Sequence, residues 1–419
     1  MMVVALIYST GVFVRRGKGM SSQVLKFPVG TDEATDYTGR VRNLSDEIVS
    51  IAPQIEAERR IPQSLINKLH SAGLFKMLLP KCYGGGEVHP VTFFKTVMAL
   101  AACDGSVGWC IGQQNGCSTT AAAVNPEVAN EIWGNNPVGA LAWGPGKGTA
   151  MPDGEGYRVN GSWMFASGRR HCSWLGAQTT AVLDEHGNEQ FDKDEKLITR
   201  TFLIPAERVQ WKDIWNVIGL RGTASDAFTV EDVYVPKGYS LKRDRIEDVK
   251  IKSPLYAFRA KNLYAASFAG VALGLARGIL EEFKELAAEK KGKYGKTLLM
   301  DNAVAQADAS MAEARIRSAT AYIESEFNGI YNDVLVGGAL TPDQRVRIRL
   351  ASTFAIQEAK AAADIAYHSA GATAIFAAQN YERRYRDLHA VTQQTQGHKV
   401  HYQTVGSYLL GHEPELSAM

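Results

Sequence analysis

The sequence predicts an α+β fold: a helical N-terminal part, a β-rich middle and a C-terminal helix bundle. Three observations carry that reading. As far as Val124, apolar residues recur at the three-and-four spacing of one helix face. Between Ala140 and Pro236 the text breaks into short β-branched and aromatic runs separated by Gly, Asn, Asp and Pro. After Ser253 it turns alanine-rich and amphipathic to near the end of the chain. At 419 residues the chain exceeds what one core organises, and 45% apolar residues suffice for two or three packed sub-domains.

Residues 1–37 read as an N-terminal extension, flexible over 1–20. In "MMVVALIYSTGVFVRRGKGM" the positive charges follow the apolar run, the reverse of a secretory signal. The run is too short and broken to span a bilayer, and Met20 offers an alternative start. Residues 38–139 are predicted as an α-helical domain. In "RNLSDEIVSIAPQIEAERRIPQSLINKLHSAGLF", Ser45 and Asp46 are cap candidates, Pro62 opens a second helix and Gly73 ends it. "PKCYGGGEVHP" is a loop by its prolines and three consecutive glycines, and "VTFFKTVMALAACDGSVGWCIGQQNGCSTTAAAV" resumes as helix, broken near Asp104 and Gly105. Residues 140–252 are predicted as a central β domain, with strands in "GYRVNGSWMFASG", "GAQTTAVLD", "LITRTFLIPA" and "AFTVEDVYVP". Residues 253–419 form the bundle, its long helices at "NLYAASFAGVALGLARGILEEFKELAAEKK", "DNAVAQADASMAEARIRSATAYIESEFNGI" and "TPDQRVRIRLASTFAIQEAKAAADIAYHSAG".

Charge and cysteine usage narrow the function. Forty-six lysines and arginines against 44 acidic residues leave a net charge of +2 without a single-sign run, which points to a small ligand and away from nucleic acid or a membrane surface. Five cysteines without a CxxC pair argue against a disulfide framework or a zinc site, and fit a cytoplasmic protein. Cys103, Cys110 and Cys117, spaced by seven, are expected on one helix face as buried packing. No G-x-G-x-x-G, P-loop or repeat is present, and His398, His401 and His412 lack a carboxylate at metal-ligand spacing, so no metal is expected.

The chemistry concentrates in "GSWMFASGRRHCSW", Gly161 to Trp174, which is too aromatic and too polar for an ordinary surface turn. Three further phrases accompany it in order: "AERRIPQSLINKLHSAGLFKMLLPKCYGG", "IGLRGTASDAFTVEDVYVP" and "YERRYRDLHAVTQQ". Together they resemble the acyl-CoA dehydrogenase superfamily, from about Glu47 to Gly411. The resemblance implies an N-terminal helical domain, a central β domain and a C-terminal four-helix bundle. Within the superfamily, "WMFASGRRHCSW" is similar to the Trp-x-Phe-x-Ser-Gly phrase of two-component flavin-dependent monooxygenases, the oxygenase components that act on hydroxyphenylacetate, dibenzothiophene and indole-type compounds. The thioester-oxidising members carry a carboxylate base at a place that falls near Thr395 here, and "LHAVTQQTQGHK" holds no acidic residue.

That branch implies reduced FMN or FAD supplied by a separate NAD(P)H-flavin reductase, reaction with O2 to a C4a-hydroperoxide, and hydroxylation of a small aromatic substrate. Ser167 and Gly168 become the flavin-facing pair, with Trp143, Trp163, Phe165 and Trp174 as candidate walls, alternate ones of which must face the core. Arg259 is placed beside the reduced ring or a phosphate. Lys291 stands where dehydrogenases have an arginine for the adenine half, and His368 where they have a glutamine, so FMN fits as well as FAD. Two histidines of related hydroxylases fall here at Gln113, Gln114 or Asn115, and at Gln394. An amide cannot act as a base, which favours a substrate needing a hydrogen bond. His171 and His389 are the remaining candidates for a proton relay. The alternatives are a dehydrogenase or N-oxygenase on the same fold, and a non-catalytic scaffold. A homotetramer built through the bundle is expected.

Overall fold

The computed structural model describes residues 36–193, 195–242, 246–291, 297–377 and 380–414, so all but the last two residues of the predicted extension lie outside it. Helix α1 (Tyr37–Glu58) is capped by Asp36, whose carboxylate accepts the Gly39 N–H at 2.8 Å. The apolar stripe Val41, Ile48, Ala52, Ile55 runs unbroken past Ser45 and Asp46, so these two sit mid-helix and are not the caps expected. Helix α2 (Gln63–Ser71) begins after Pro62 and stops before Gly73, which at φ +71° takes the left-handed turn a side chain resists. Helices α3 (Pro90–Cys103) and α4 (Gly105–Ser118) part at Asp104, whose carboxylate caps α4 through the Val107 N–H at 3.0 Å. That break corrects the cysteine reading: Cys103 stands on α3 while Cys110 and Cys117 stand on α4, although all three are buried. A single turn, α5 (Pro126–Ala129), follows.

Nine strands among the described residues form two sheets: β1 (Leu141–Trp143), β2 (Gly146–Asp153), β3 (Gly156–Trp163), β4 (Trp174–Gln178), β5 (Ala181–Val182), β6 (Thr201–Pro205), β7 (Gln210–Lys212), β8 (Ala227–Pro236) and β9 (Ser240–Leu241). The strand orders are β1-β4-β6-β9 and β5-β2-β3-β8-β7. Ala150, Val159, Trp163, Phe202, Ile204 and Phe228 fill the core they share. β3 pairs antiparallel with β8, with a register shift between Val159 and Gly161 that sets Trp163 opposite Phe228.

The C-terminal bundle consists of α6 (Ala260–Glu289), α7 (Ala303–Gly337), α8 (Pro342–Ala370) and α9 (Asn380–Thr392), followed by α10 (Val400–Leu409). Helix α6 is central and touches α3, α4, α7, α8 and α9. Its glycines allow close approach: a Cβ at Gly274 would lie 2.3 Å from the Met98 carbonyl oxygen on α3. It is the one described helix long and apolar enough to cross a membrane, and 94% of its apolar stretch is buried inside the protein.

Candidate active site

After β3 the chain leaves the sheet in a tight turn. Phe165 takes φ +59° and Gly168 φ +84°. The turn lies back to back with the loop preceding β8: the Ala166 N–H donates to the Asp226 carbonyl at 3.1 Å and the Gly168 N–H to the Thr223 carbonyl at 2.8 Å. That loop is strained, because Leu220 at φ +55° and Ala224 at φ +44° are left-handed without being glycine, a cost of about 1–3 kcal/mol each. Its anchors explain its persistence. The Leu220 N–H donates to the buried carboxylate of Asp387 on α9 at 2.5 Å. Asp226 accepts from the Ile214 and Trp215 N–H groups at 3.0 and 3.1 Å and pairs with Arg169 at 2.5 Å. Burial pushes the Asp387 carboxyl up to about 7, while the Leu220 N–H draws it down.

Between the two turns runs a buried file of hydroxyls. The Trp109 indole N–H, from α4, donates to Ser167 Oγ at 3.0 Å. Ser167 Oγ meets Ser225 Oγ at 2.7 Å, and Ser225 Oγ meets Thr223 Oγ1 at 2.7 Å. Thr223 Oγ1 donates to the Leu220 carbonyl at 2.8 Å. With Thr223 donating to the Leu220 carbonyl, each hydroxyl of the file donates to the next, from Ser167 to Thr223.

On the other side of Gly168 stand groups with no internal partner. Gln114, 2% exposed, has both amide atoms buried and unbonded, as are both ring nitrogens of His171 and of His70. A Cβ at position 168 would stand 2.3 Å from Gln114 Nε2 and 2.9 Å from His171 Nε2, so glycine is what lets the turn meet them. Phe75 links the two imidazoles, stacked on His70 at 4.1 Å and tilted to His171 at 5.6 Å. Burial lowers His171 to about 3 and His70 to about 4, so both are neutral at physiological pH. The neighbouring amides are committed elsewhere. Asn115 bonds the Leu74 carbonyl and the Leu78 N–H, and Gln113 donates to the Trp143 carbonyl. Of the three candidates on α4, Gln114 alone faces the turn with its amide unused.

The structure therefore gathers Ser167, Gly168, Gln114 and His171 and separates the rest. Trp163 points into the sheet core: fully buried, it stacks on Phe228 at 5.2 Å and donates to the Gln178 carbonyl, as the β3 alternation requires. Trp143 is buried on β1 against Gly176, and Trp174 stacks on Tyr239 at 5.7 Å. Phe165 is 49% exposed, edge-on to Trp215. Arg259 precedes α6 with its Nε buried and unbonded. Lys291 is exposed beyond the end of α6, bridged to Leu298 through the backbone, and exposed His368 bonds the Asp364 carbonyl. Gln394 accepts the Gln396 N–H through its amide oxygen, and His389 lies 3.7 Å from Asp364 and tilted against the Tyr385 ring at 4.4 Å, so both stand in the bundle. Trp109, Thr223, Ser225, Asp387 and His70 were not singled out from the sequence. The hydroxyls of "RGTAS" and the tryptophan of "DGSVGW" were visible in it, but their convergence depends on the left-handed loop.

An aromatic cofactor with polar edges suits this arrangement, since buried polar groups of Gln114 and His171 beside the turn lack partners. Among the described residues no group of three or more His, Cys, Asp or Glu is placed to hold a metal. The family models described as acyl-CoA dehydrogenase N-terminal domain and C-terminal domain match residues 31–130 and 266–399. A pigment production hydroxylase of Rhodococcus erythropolis is 31% identical over 376 residues, covering 86% of this chain and 92% of its own. The chain belongs to the acyl-CoA dehydrogenase family. Within it the relatives are flavin-dependent monooxygenases, and this chain is one of them. Indole-3-acetate monooxygenase of Pseudomonas putida is 28% identical over 363 residues, covering 86% of this chain and 90% of its own. HsaA of Mycobacterium tuberculosis, the oxygenase subunit of a flavin-dependent monooxygenase, is 27% identical over 378 residues, covering 85% and 91%. A crystal structure of HsaA from that species matches with a TM-score of 0.83 at 25% identity, covering 93% of this chain and all of that one. In this family setting, the carboxylate-free stretch "LHAVTQQTQGHK" lies at the end of α9 and in the turn after it.

Proposed function

We propose that this chain is the oxygenase component of a two-component system, taking reduced FMN or FAD from a separate NAD(P)H-flavin reductase and using O2 to hydroxylate a small aromatic substrate of indole or phenol type. The turn around Ser167 and Gly168 carries this reading: a buried serine hydroxyl beside buried, neutral and unbonded Gln114 and His171. The flavin, when bound, supplies the activation and transfer of oxygen. The protein's part is to hold and to dry. Ser167, at the turn of Gly168, would meet the ring edge, Arg259 would offer positive charge to a reduced ring or phosphate, and Gln114 with His171 would orient the polar group of the substrate. Because both imidazoles are neutral, they supply donors and acceptors without a charge. Lys291 serves at most a phosphate at the surface, and Gln394 and His389 have no part in this assignment.

The same reading makes the enzyme cytoplasmic, where its five free cysteines stay reduced, and a homotetramer associated through the bundle. The direct test mixes the protein and reduced flavin with oxygen in a stopped-flow spectrometer, with and without indole or phenol. Flavin reoxidation distinct from that of free flavin, together with consumption of the aromatic, is the expected outcome. Reoxidation at the free-flavin rate with the aromatic untouched contradicts the proposal.

A further inference from the structure

We propose that Ser225 and Thr223 are positioning residues that set whether Ser167 accepts or donates a hydrogen bond, and thereby set the preference of the site for reduced over oxidised flavin. The inference rests on Ser167 facing the flavin. Its own basis is the hydroxyl file and the two proton settings that file allows.

In the first setting every proton points inward: Trp109 to Ser167, Ser167 to Ser225, Ser225 to Thr223, and Thr223 to the Leu220 carbonyl. Ser167 then keeps one lone pair free and can only accept from a ligand. In the second setting the three hydroxyl protons reverse. Thr223 donates to Ser225, Ser225 donates to Ser167, and Ser167, its lone pairs filled by Trp109 and Ser225, can only donate outward. No heavy atom needs to move, because the separations within the file are 2.7 Å in either direction.

The far end makes the reversal cheap. When Thr223 Oγ1 turns away, the Leu220 carbonyl still accepts the Trp215 indole N–H at 3.0 Å and the Thr223 backbone N–H at 3.2 Å, so no buried acceptor is orphaned. Thr223 and Ser225 are each 1% exposed and Ser167 4%, so the file answers to its ends rather than to solvent. The ligand end has matching chemistry. A reduced flavin carries a proton on N5 and donates there, whereas the oxidised ring has a bare N5 that accepts. Without an acceptor at Ser167 the inward setting prevails and receives a donor, which favours the reduced ring. An acceptor at the same place draws the outward setting.

The test measures dissociation constants for oxidised and, anaerobically, reduced FMN, and takes their ratio. Thr223→Val keeps the shape but removes the acceptor of Ser225, fixing Ser167 as a donor. The oxidised-to-reduced ratio of dissociation constants is expected to fall about tenfold, the effect of one mismatched buried hydrogen bond. Thr223→Ser should restore the wild-type ratio, and Ser225→Ala, which removes the inward acceptor of Ser167, should shift it in the same direction as Thr223→Val. In a Ser167→Ala background Thr223→Val should change nothing. If Ser167→Ala alone leaves both constants unchanged, Ser167 does not face the flavin and the underlying reading falls. If Ser167→Ala shifts the ratio while Thr223→Val and Ser225→Ala keep the wild-type value, the positioning role alone is overturned. Should Thr223→Val not fold, Ser225→Ala decides in the same terms.

Discussion

A Cβ at Gly168 would collide with both Gln114 and His171, and φ +84° would strain it besides. Gly168→Ala is therefore expected to lower the melting temperature by several degrees and to weaken flavin binding at least tenfold. Unchanged binding in a folded variant would remove the turn from the site. The paired imidazoles make a second prediction. His70 and His171 protonate near their ordinary 6.5 in the unfolded chain but only at about 4 and 3 when folded. The unfolded state thus binds more protons below pH 6.5, and this stability, present above that pH, is lost as the pH falls toward the folded values. His171→Gln should make acid denaturation between pH 6 and 4 less steep, as read by chemical denaturation across that range. At this scale the sequence was informative where chemistry clusters locally, as at Ser167, Gly168 and His171. It did not show that Trp163 turns into the sheet core or that Gln394 and Lys291 stand in the bundle, because facing and distance depend on how the elements pack.

The element that organises the site is the Leu220–Asp226 loop, held in a strained conformation by α9 through Asp387. Asp387→Ala removes the acceptor of the Leu220 N–H, and about 2–4 kcal/mol of stability should go with it, as measured by denaturant unfolding. Asp387→Asn keeps an acceptor without the charge. The folded carboxyl titrates near 7 against an ordinary 3.8, so folded Asp387 binds the extra proton between those values, and its contribution to stability is lost as the pH rises through 7. Asp387→Asn should accordingly flatten the stability profile between pH 5 and 8. A variant as steep as the wild type would show that another group sets the slope. The helices and the strands β3, β6 and β8 were legible because their periodicity is strong. Strand β2, "GKGTAMPD", was not, since its glycines, lysine and proline carry no β signal and its place between β5 and β3 comes from pairing alone.

For the whole molecule, the order of helices, sheets and bundle follows from composition changes near Ala140 and Ser253, where hydrophobic periodicity switches from one type of element to another. Assembly is less legible, because exposed apolar residues show only that a surface is uncovered. Leu335 and Val336 at the end of α7 and Leu409 and Leu410 at the end of α10 are 59%, 93%, 70% and 84% exposed, and the proposed association through the bundle would cover them. Light scattering at micromolar concentration should give four times the 45.7 kDa chain mass, and a monomer would contradict the tetramer. The central claim, oxygen transfer from O2 to a small aromatic, is tested most directly by isotope. The protein is incubated with a flavin reductase, NADH, FMN or FAD, and 18O2, with indoles and phenols as candidate substrates, and the products are weighed by mass spectrometry. One labelled oxygen atom per hydroxylated product, formed only when the flavin is reduced, is the predicted result. Hydrogen peroxide as the sole oxygen product with every aromatic tried, or a product whose oxygen comes from water, would contradict the account.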